Sequence, residues 1–196
     1  MASLLSRKST EKQKEVNILV LGESGTGKST FINSMLNYMK HASLEEAMQE
    51  TQISYLIETS FVVTDENFNQ HRVTLNGLSA SKADNGESHN VGESATKFPQ
   101  SHVIMCKDNT VVQVIDTPGI GDPEGFKKDQ ENCDNIVEYI SQFDELNAIC
   151  ILLKPNLSRL DVSFRYCFKE LLIHLHKNAV ANIVFCFTNT RSNDLT

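Results

Sequence analysis

The chain has 196 residues, of which 40% are hydrophobic and 22% are charged, so it is long enough for one domain with a core. Its formal net charge of −7 provides no basic field that would attract nucleic acid or an anionic membrane surface. No stretch approaches the roughly 18 consecutive apolar residues of a membrane-spanning helix. We therefore expect neither a nucleic-acid partner nor a transmembrane segment.

The five cysteines indicate a reducing compartment. Their number is odd, no C-x-x-C spacing occurs, and four of them lie in apolar runs or on apolar helical faces. Small buried thiols fit this pattern better than a disulfide framework or a zinc site. A cytoplasmic location is therefore expected.

The predicted elements alternate between strands and helices. Residues 1–15 are polar and are expected to form a flexible arm, and 16–196 are expected to form one domain. Strands are predicted at 16–21, 60–64, 71–75, 103–106, 111–115, 148–153 and 182–187, and helices at 29–39, 43–50, 126–143 and 163–176. This order predicts an α/β fold of three layers, with a mostly parallel sheet and one antiparallel hairpin at 103–115. Residues 41–92 are interpreted as an insertion, which is commonly functional or disordered at such a length. Within it, Ser43 is predicted to cap the helix at 43–50, with Glu46 completing a capping box. His71, His89 and His102 show no metal-ligand spacing and are interpreted as surface residues.

The first strand leads directly into a phosphate-binding loop. Apolar Ile18 to Leu21 precede the pattern Gly22-x-x-x-x-Gly27-Lys28-Ser29, and a helical pattern follows it. Glycines let successive backbone N–H groups face one anion, and the dipole of the next helix adds to that field. A lysine at this spacing reaches phosphate oxygens, and the serine hydroxyl can bind Mg²⁺. An ordinary glycine-rich turn gives no reason for the Gly-Lys-Ser ending.

A second motif closes the strand at 111–115. Asp116 is followed by Thr117, Pro118 and Gly119, as a metal-binding carboxylate after a buried strand would be. The pattern Asp-x-x-Gly alone is a weak signal, but it gains weight in a chain that also has a phosphate-binding loop. Parallel strand ends meet at one edge, so both motifs are predicted to lie close together.

Together, the two motifs resemble those of the septin and immunity-associated (avirulence-induced) branch of the P-loop GTPases. The resemblance covers about 17–190 and implies a G domain that binds GTP or GDP with Mg²⁺. It implies metal contacts from Ser29 and Asp116 and a Gly119 N–H that faces the γ-phosphate, with Lys28, Thr96 and Gly119 in catalytic roles. The implied nucleotide-binding residues of the loop are Glu23, Ser24, Gly25, Thr26, Gly27, Lys28, Ser29 and Thr30.

The switch threonine of such domains, which binds Mg²⁺ only when the γ-phosphate is present, is assigned to Thr96. It lies in a segment similar to the Ser-x-Thr-Lys segment of the immunity-associated group, just before the antiparallel hairpin. Ser94 is the second choice for this role. A plain polar loop without such a function is the alternative interpretation.

Two positions depart from the usual GTPase pattern. Ile120 stands where a Ras-like domain has the glutamine that orients the attacking water. Slow hydrolysis, or hydrolysis that depends on a group from a partner, is therefore expected. The base-reading motif, which is usually Asn/Thr-Lys-x-Asp with an aspartate that binds guanine, is also irregular. Asn189 can bind the base, but the next aspartate, Asp194, is five residues away. The preference for guanine over adenine therefore rests on the resemblance.

Two functions remain open at this point. One is a GTPase whose loops switch with the nucleotide state, and the other is a septin-like assembly module with little turnover. A homo-oligomer or a G-domain dimer is the expected protein partner. A P-loop kinase or ATPase has less support, because no arginine-rich lid is visible and Asp-Thr-Pro-Gly is a GTPase form. The resemblance also implies further elements after Thr196, so the G domain is expected to be incomplete on that side.

Overall fold

The computed structural model describes residues 13–51, 53–75, 96–121, 125–155, 161–175 and 177–190. The strands are β1 (Glu15–Gly22), β2 (Thr59–Thr64), β3 (Gln70–Leu75), β4 (Gln100–Met105), β5 (Val111–Asp116), β6 (Ala148–Leu153) and β7 (Ile183–Phe187). The helices are α1 (Lys28–Lys40), α2 (Leu44–Gln49), α3 (Phe126–Ile140) and α4 (Val162–His174), and a 3-10 helix spans Lys177–Asn182.

A five-stranded sheet organises the described part of the chain. Its order is β4-β5-β1-β6-β7, in which β1 pairs in parallel with β5 and β6, and β6 pairs in parallel with β7. The hairpin of β4 and β5 is antiparallel, as predicted. The strands β2 and β3 form a separate two-stranded antiparallel sheet within the expected insertion. The predicted α/β fold with a mostly parallel sheet and one antiparallel hairpin is confirmed.

The alternation of side chains along β1 divides the core into two clusters. Leu19 and Leu21 face the side covered by α3 and α4, whereas Val20 faces the side on which α1 packs. All three are essentially inaccessible to solvent. Strands covered on both faces are apolar at nearly every position, which explains the unbroken run in β1. The three predicted layers are therefore present.

Most helix boundaries agree with the sequence to within a residue or two, and the exceptions lie at C-terminal ends. Helix α2 begins after Ser43, whose hydroxyl accepts a hydrogen bond from the Glu46 N–H, as the predicted cap requires. The predictions for α3 and α4 were too long, because these helices end at Ile140 and His174. No helix in the described ranges combines the length and the apolarity that a bilayer crossing requires.

Asn33 fastens the segment after α2 to helix α1. Its Oδ1 accepts hydrogen bonds from the N–H groups of Leu56 and Ile57, and its Nδ2 donates to the Ile57 carbonyl. A buried amide with three backbone partners satisfies groups that would otherwise be costly to bury. The segment after α2 is therefore held against helix α1 by this side chain.

Candidate functional site

The C-terminal ends of four neighbouring strands meet at one edge of the sheet. The register pairs Gly22 of β1 with Leu152 of β6, and Leu153 of β6 with Phe187 of β7. On the other side of β1, Leu19 pairs with Ile115, which directly precedes Asp116. Parallel α/β sheets bind ligands at this edge, so it is the natural place for a site.

The loop after β1 has the curled backbone that the motif predicts. Gly25 and Gly27 have positive φ angles of 70° and 88°, which residues with a side chain rarely adopt. A Cβ on Gly22 would lie 2.6 Å from the Thr26 Oγ1, so there is no room for a side chain there. Helix α1 begins at Lys28 without a side-chain cap, which leaves its first N–H groups directed at the loop.

Lys28 is buried in the centre of this loop. Its Nζ donates to the carbonyls of Gly22 at 3.1 Å and Glu23 at 3.2 Å. Burial lowers its pKa to about 8, although the negative charges of Asp116 and Glu23 act in the opposite direction. The ammonium is thus held beside the position where the loop would bind a phosphate, and its burial removes favourable hydration of the charge.

Asp116 is fully buried and bonds to the residue predicted as the switch threonine. The Thr96 hydroxyl donates to Asp116 Oδ2 at 2.9 Å, and the Thr117 N–H donates to Oδ1 at 3.0 Å. Burial raises the pKa of Asp116, while Lys28 and the Thr96 hydrogen bond favour the carboxylate. The structure therefore brings together two of the three residues predicted to bind metal, and Ser29 lies at the start of α1 beside Lys28.

The loop after Asp116 lies directly on the phosphate-binding loop. The Ser24 N–H donates to the Ile120 carbonyl at 2.8 Å, and the Ile120 N–H donates to the Gly22 carbonyl at 3.4 Å. A Cβ on Gly119 would lie 2.7 Å from the Ser24 Cα, so only glycine fits this approach. Gly119 is thus next to the loop that it was predicted to join at the γ-phosphate.

The residues after β7 contact the loop through Thr188 instead of Asn189. The Thr188 hydroxyl donates to the Thr26 carbonyl at 2.7 Å, which ties the end of β7 to the loop. Asn189 is exposed, has a φ angle of 57°, and its amide donates only a 3.4 Å bond to Thr188 Oγ1. Its predicted contact with a base is compatible with this exposure. Asp194 and Ser94 lie outside the described residues.

Comparison with known proteins identifies the family of this chain. The septin family model matches residues 12–148, which is more than half of the chain. The chain belongs to the septin family. A curated relative, Septation protein 7 of Candida albicans, is 27% identical over 130 residues, which cover 59% of this chain and 17% of that protein. A solved septin GTPase domain from Chlamydomonas reinhardtii is 18% identical with a TM-score of 0.39, over 90% of this chain and 53% of that chain.

This septin-family chain therefore spans about half of the solved domain and about a sixth of the curated relative. The family model covers both the phosphate-binding loop and the Asp116 motif, but it ends at residue 148, before β7. The irregular segment around Asn189 thus lies outside the matched residues.

The septin-family site contains oxygen donors suited to Mg²⁺. Carboxylate and hydroxyl oxygens are the ligands this ion prefers, and it commonly combines one or two carboxylates with substrate phosphates. Asp116 and Thr96 supply such oxygens at a buried position. In the described parts of the chain, no cluster of three or more His, Cys, Asp or Glu could hold a metal by itself. The residues therefore fit a magnesium ion that is shared with a phosphate.

Several supporting residues were missed by the motif analysis. Asp129 and Asn132 of α3 hold the loop after β5, since Asp129 Oδ1 accepts from the Gly121 N–H and Asn132 Nδ2 donates to the Gly119 carbonyl. The Thr117 hydroxyl donates to the Val20 carbonyl of β1. A polar pair three residues apart on an otherwise apolar helical face was the only sequence signal for Asp129 and Asn132.

The interpretation of His102 as a surface residue was wrong. It lies on β4 opposite Val114, and its Nε2 is buried without a hydrogen-bond partner among the described residues. Burial lowers its pKa, and the charge of Asp116 acts in the opposite direction. The histidine therefore borders the candidate site. By contrast, His71 is exposed and contacts Asp65.

Ile120 belongs to the hydrophobic core and is only 1% exposed, so its side chain does not line the phosphate-binding loop. We expect Ile120→Gln to destabilise the fold by about 2 kcal/mol or more, because the new amide would be buried among apolar side chains. Ile120→Leu should cost less than about 1.5 kcal/mol. Urea unfolding of the three proteins measures the difference, and a glutamine variant as stable as the parent would contradict this placement.

The lowered pKa of Lys28 predicts a pH-dependent stability. Below about pH 8 the folded protein holds a buried ammonium, and burying this charge lowers the free energy of unfolding. As the pH rises from about 8 to 10.5, the ordinary pKa of a lysine, the folded protein loses the proton first and this destabilisation disappears. The parent should therefore gain up to about 3 kcal/mol relative to Lys28→Met over this interval. Denaturant melts at several pH values measure the difference. Exposed Lys107→Met is the control for the loss of a lysine outside the site.

Proposed function

We propose that this chain binds GTP and GDP together with Mg²⁺ and acts as a nucleotide-dependent switch with slow intrinsic hydrolysis. The observation that carries this proposal is the pair of buried, oppositely charged groups, Lys28 and Asp116, at the strand ends beside a glycine loop. Membership of the septin family supports the same assignment. In this proposal, residues 16–196 form part of a G domain.

The electrostatics of the site explain why it needs both an anion and a cation. Burial disfavours the charged forms of both Lys28 and Asp116, as the directions of their pKa shifts indicate. A polyphosphate beside the ammonium and a magnesium ion beside the carboxylate would each favour the charged form. A magnesium nucleotide supplies both charges at once. Neither a neutral ligand nor an anion without its metal would do so.

Each predicted residue then has a defined contact in the complex. The backbone of residues 23–30 would surround the phosphates, and Lys28 would exchange its two carbonyl partners for phosphate oxygens. Ser29, Thr96 and Asp116 would hold Mg²⁺, which neutralises charge on the terminal phosphates. The Gly119 N–H would bind the γ-phosphate, and Asn189 would bind the base.

Thr96 provides the switching element of this proposal. Its hydroxyl donates to Asp116, and a hydroxyl that donates its hydrogen can still offer an oxygen lone pair to Mg²⁺. The segment that carries Thr96 would therefore respond to the presence of the metal and the γ-phosphate. Slow hydrolysis follows from Ile120, whose buried side chain cannot orient water.

Binding by titration calorimetry or fluorescence tests the proposal. The parent should bind Mg·GTP and GDP, and an excess of ATP should compete poorly. Lys28→Ala and Ser29→Asn should each lose Mg²⁺-dependent binding at least tenfold, because each removes a phosphate or metal contact. Lys107→Met is the matched surface control. A folded Lys28→Ala protein with unchanged GTP affinity would rule out the assignment.

A second candidate function is a septin-like assembly module in the cytoplasm, in which bound nucleotide forms an interface and turnover is incidental. Strand β7 favours it, since Val184, Phe185 and Phe187 are each about half exposed or more. Sedimentation with GDP, with a non-hydrolysable GTP analogue and without nucleotide should then show a nucleotide-dependent dimer or oligomer. Phe185→Lys should weaken it. A monomer under all three conditions, with sustained turnover, would support the enzymatic switch instead.

A further inference from the structure

Lys154 is a second lysine at the phosphate-binding loop that the motifs do not include. It follows β6 directly, two residues beyond Leu152, which pairs with Gly22 at the start of the loop. Its Nζ lies 3.5 Å from the position that a Cβ on Gly25 would occupy. The ammonium is therefore packed against the glycine at the outer turn of the loop.

The surroundings of this ammonium leave it available to an anion. Within the described part of the chain, no hydrogen bond or ion pair engages Lys154, although the residue is partly buried. The Glu23 carboxylate of the same loop is engaged elsewhere through one of its oxygens, since its Oε1 accepts a hydrogen bond from the Asp161 N–H at 2.9 Å. The positive charge of Lys154 is also one of the causes that lower the pKa of Lys28. Two like charges thus share one loop.

The neighbouring strand lacks the lysine that could otherwise fill this place. In the usual Asn/Thr-Lys-x-Asp motif a lysine follows the asparagine, whereas here Thr190 follows Asn189. Strands β6 and β7 are adjacent, and the Thr188 N–H donates to the Leu153 carbonyl, immediately before Lys154. Lys154 thus brings an ammonium to the same edge from the adjacent strand.

We propose that Lys154 is a nucleotide-binding residue that contacts the phosphates from the Gly25 side of the loop, opposite the buried Lys28. This inference rests on the proposed function. A flexible, partly exposed ammonium can pair with phosphate oxygens without the fixed geometry that a guanidinium requires. Lys28 then binds the phosphates from inside the loop, while Lys154 adds a second charge from the outside.

The test compares Lys154→Met, Lys154→Arg and Lys154→Glu with the parent in binding to GDP, Mg·GTP and guanosine. Lys154→Met keeps the apolar stem and should weaken GDP and GTP binding about tenfold, Lys154→Glu should weaken it further, and Lys154→Arg should stay within about threefold. The loss should shrink as salt is raised, because the contact is between charges. Guanosine, which has no phosphate, should compete equally well with the parent and with the methionine variant.

The outcomes separate this inference from the proposed function. A parent that binds neither GDP nor Mg·GTP would refute both. A parent that binds, with a methionine variant of unchanged affinity, would refute the role of Lys154 alone, and so would an equal loss of guanosine binding. Thermal melts of each variant verify folding, and Lys107→Met controls for the loss of one surface charge. If Lys154→Met did not fold, Lys154→Glu against Lys154→Arg would decide the question.

Discussion

The parallel pairing of β1 with both β5 and β6 is the constraint on which the rest of the structure depends. It places the loop after Gly22 between Asp116 on one side and Lys154 on the other. A shift of one residue in either register would turn the side chains of β1 to the opposite faces, and the two core clusters would lose their packing. The core therefore fixes the position of the site through the register.

The same packing makes the site costly in the absence of a ligand. Lys28 and Asp116 are buried beside the core, and the nearest compensation consists of two carbonyls for the ammonium and two donors for the carboxylate. Charges held in this way are less favourable than charges in water. Residues that bind a ligand commonly reduce the stability of the free protein, so part of the folding free energy is given up for binding.

The sequence predicts most of this architecture because its signals are local. The apolar run of β1, the glycine spacing and the Ser43 cap each depend on residues close together in the chain, and the structure agrees with them. Contacts between distant segments were not predictable. Nothing near Thr188 indicates that its hydroxyl binds the Thr26 carbonyl 162 residues earlier. The burial of His102 depends in the same way on its neighbours across the sheet, and one strand alternating in polarity does not reveal them.

Ile120 stands where a Ras-like domain has a glutamine, and its placement gives this position a structural role. Its side chain packs in the core while its backbone carbonyl accepts a hydrogen bond from the Ser24 N–H. That N–H belongs to the loop proposed to surround the phosphates, and one N–H donates to one acceptor in a good geometry. A phosphate that took this donor would release the Ile120 carbonyl, and the loop between Asp116 and α3 would lose one of its anchors. Asp129 and Asn132 of α3 would still hold the residues on either side of Ile120, through the Gly121 N–H and the Gly119 carbonyl. Ile120 thus connects the phosphate-binding loop to the core, at the position where Ras-like domains have a glutamine that orients water.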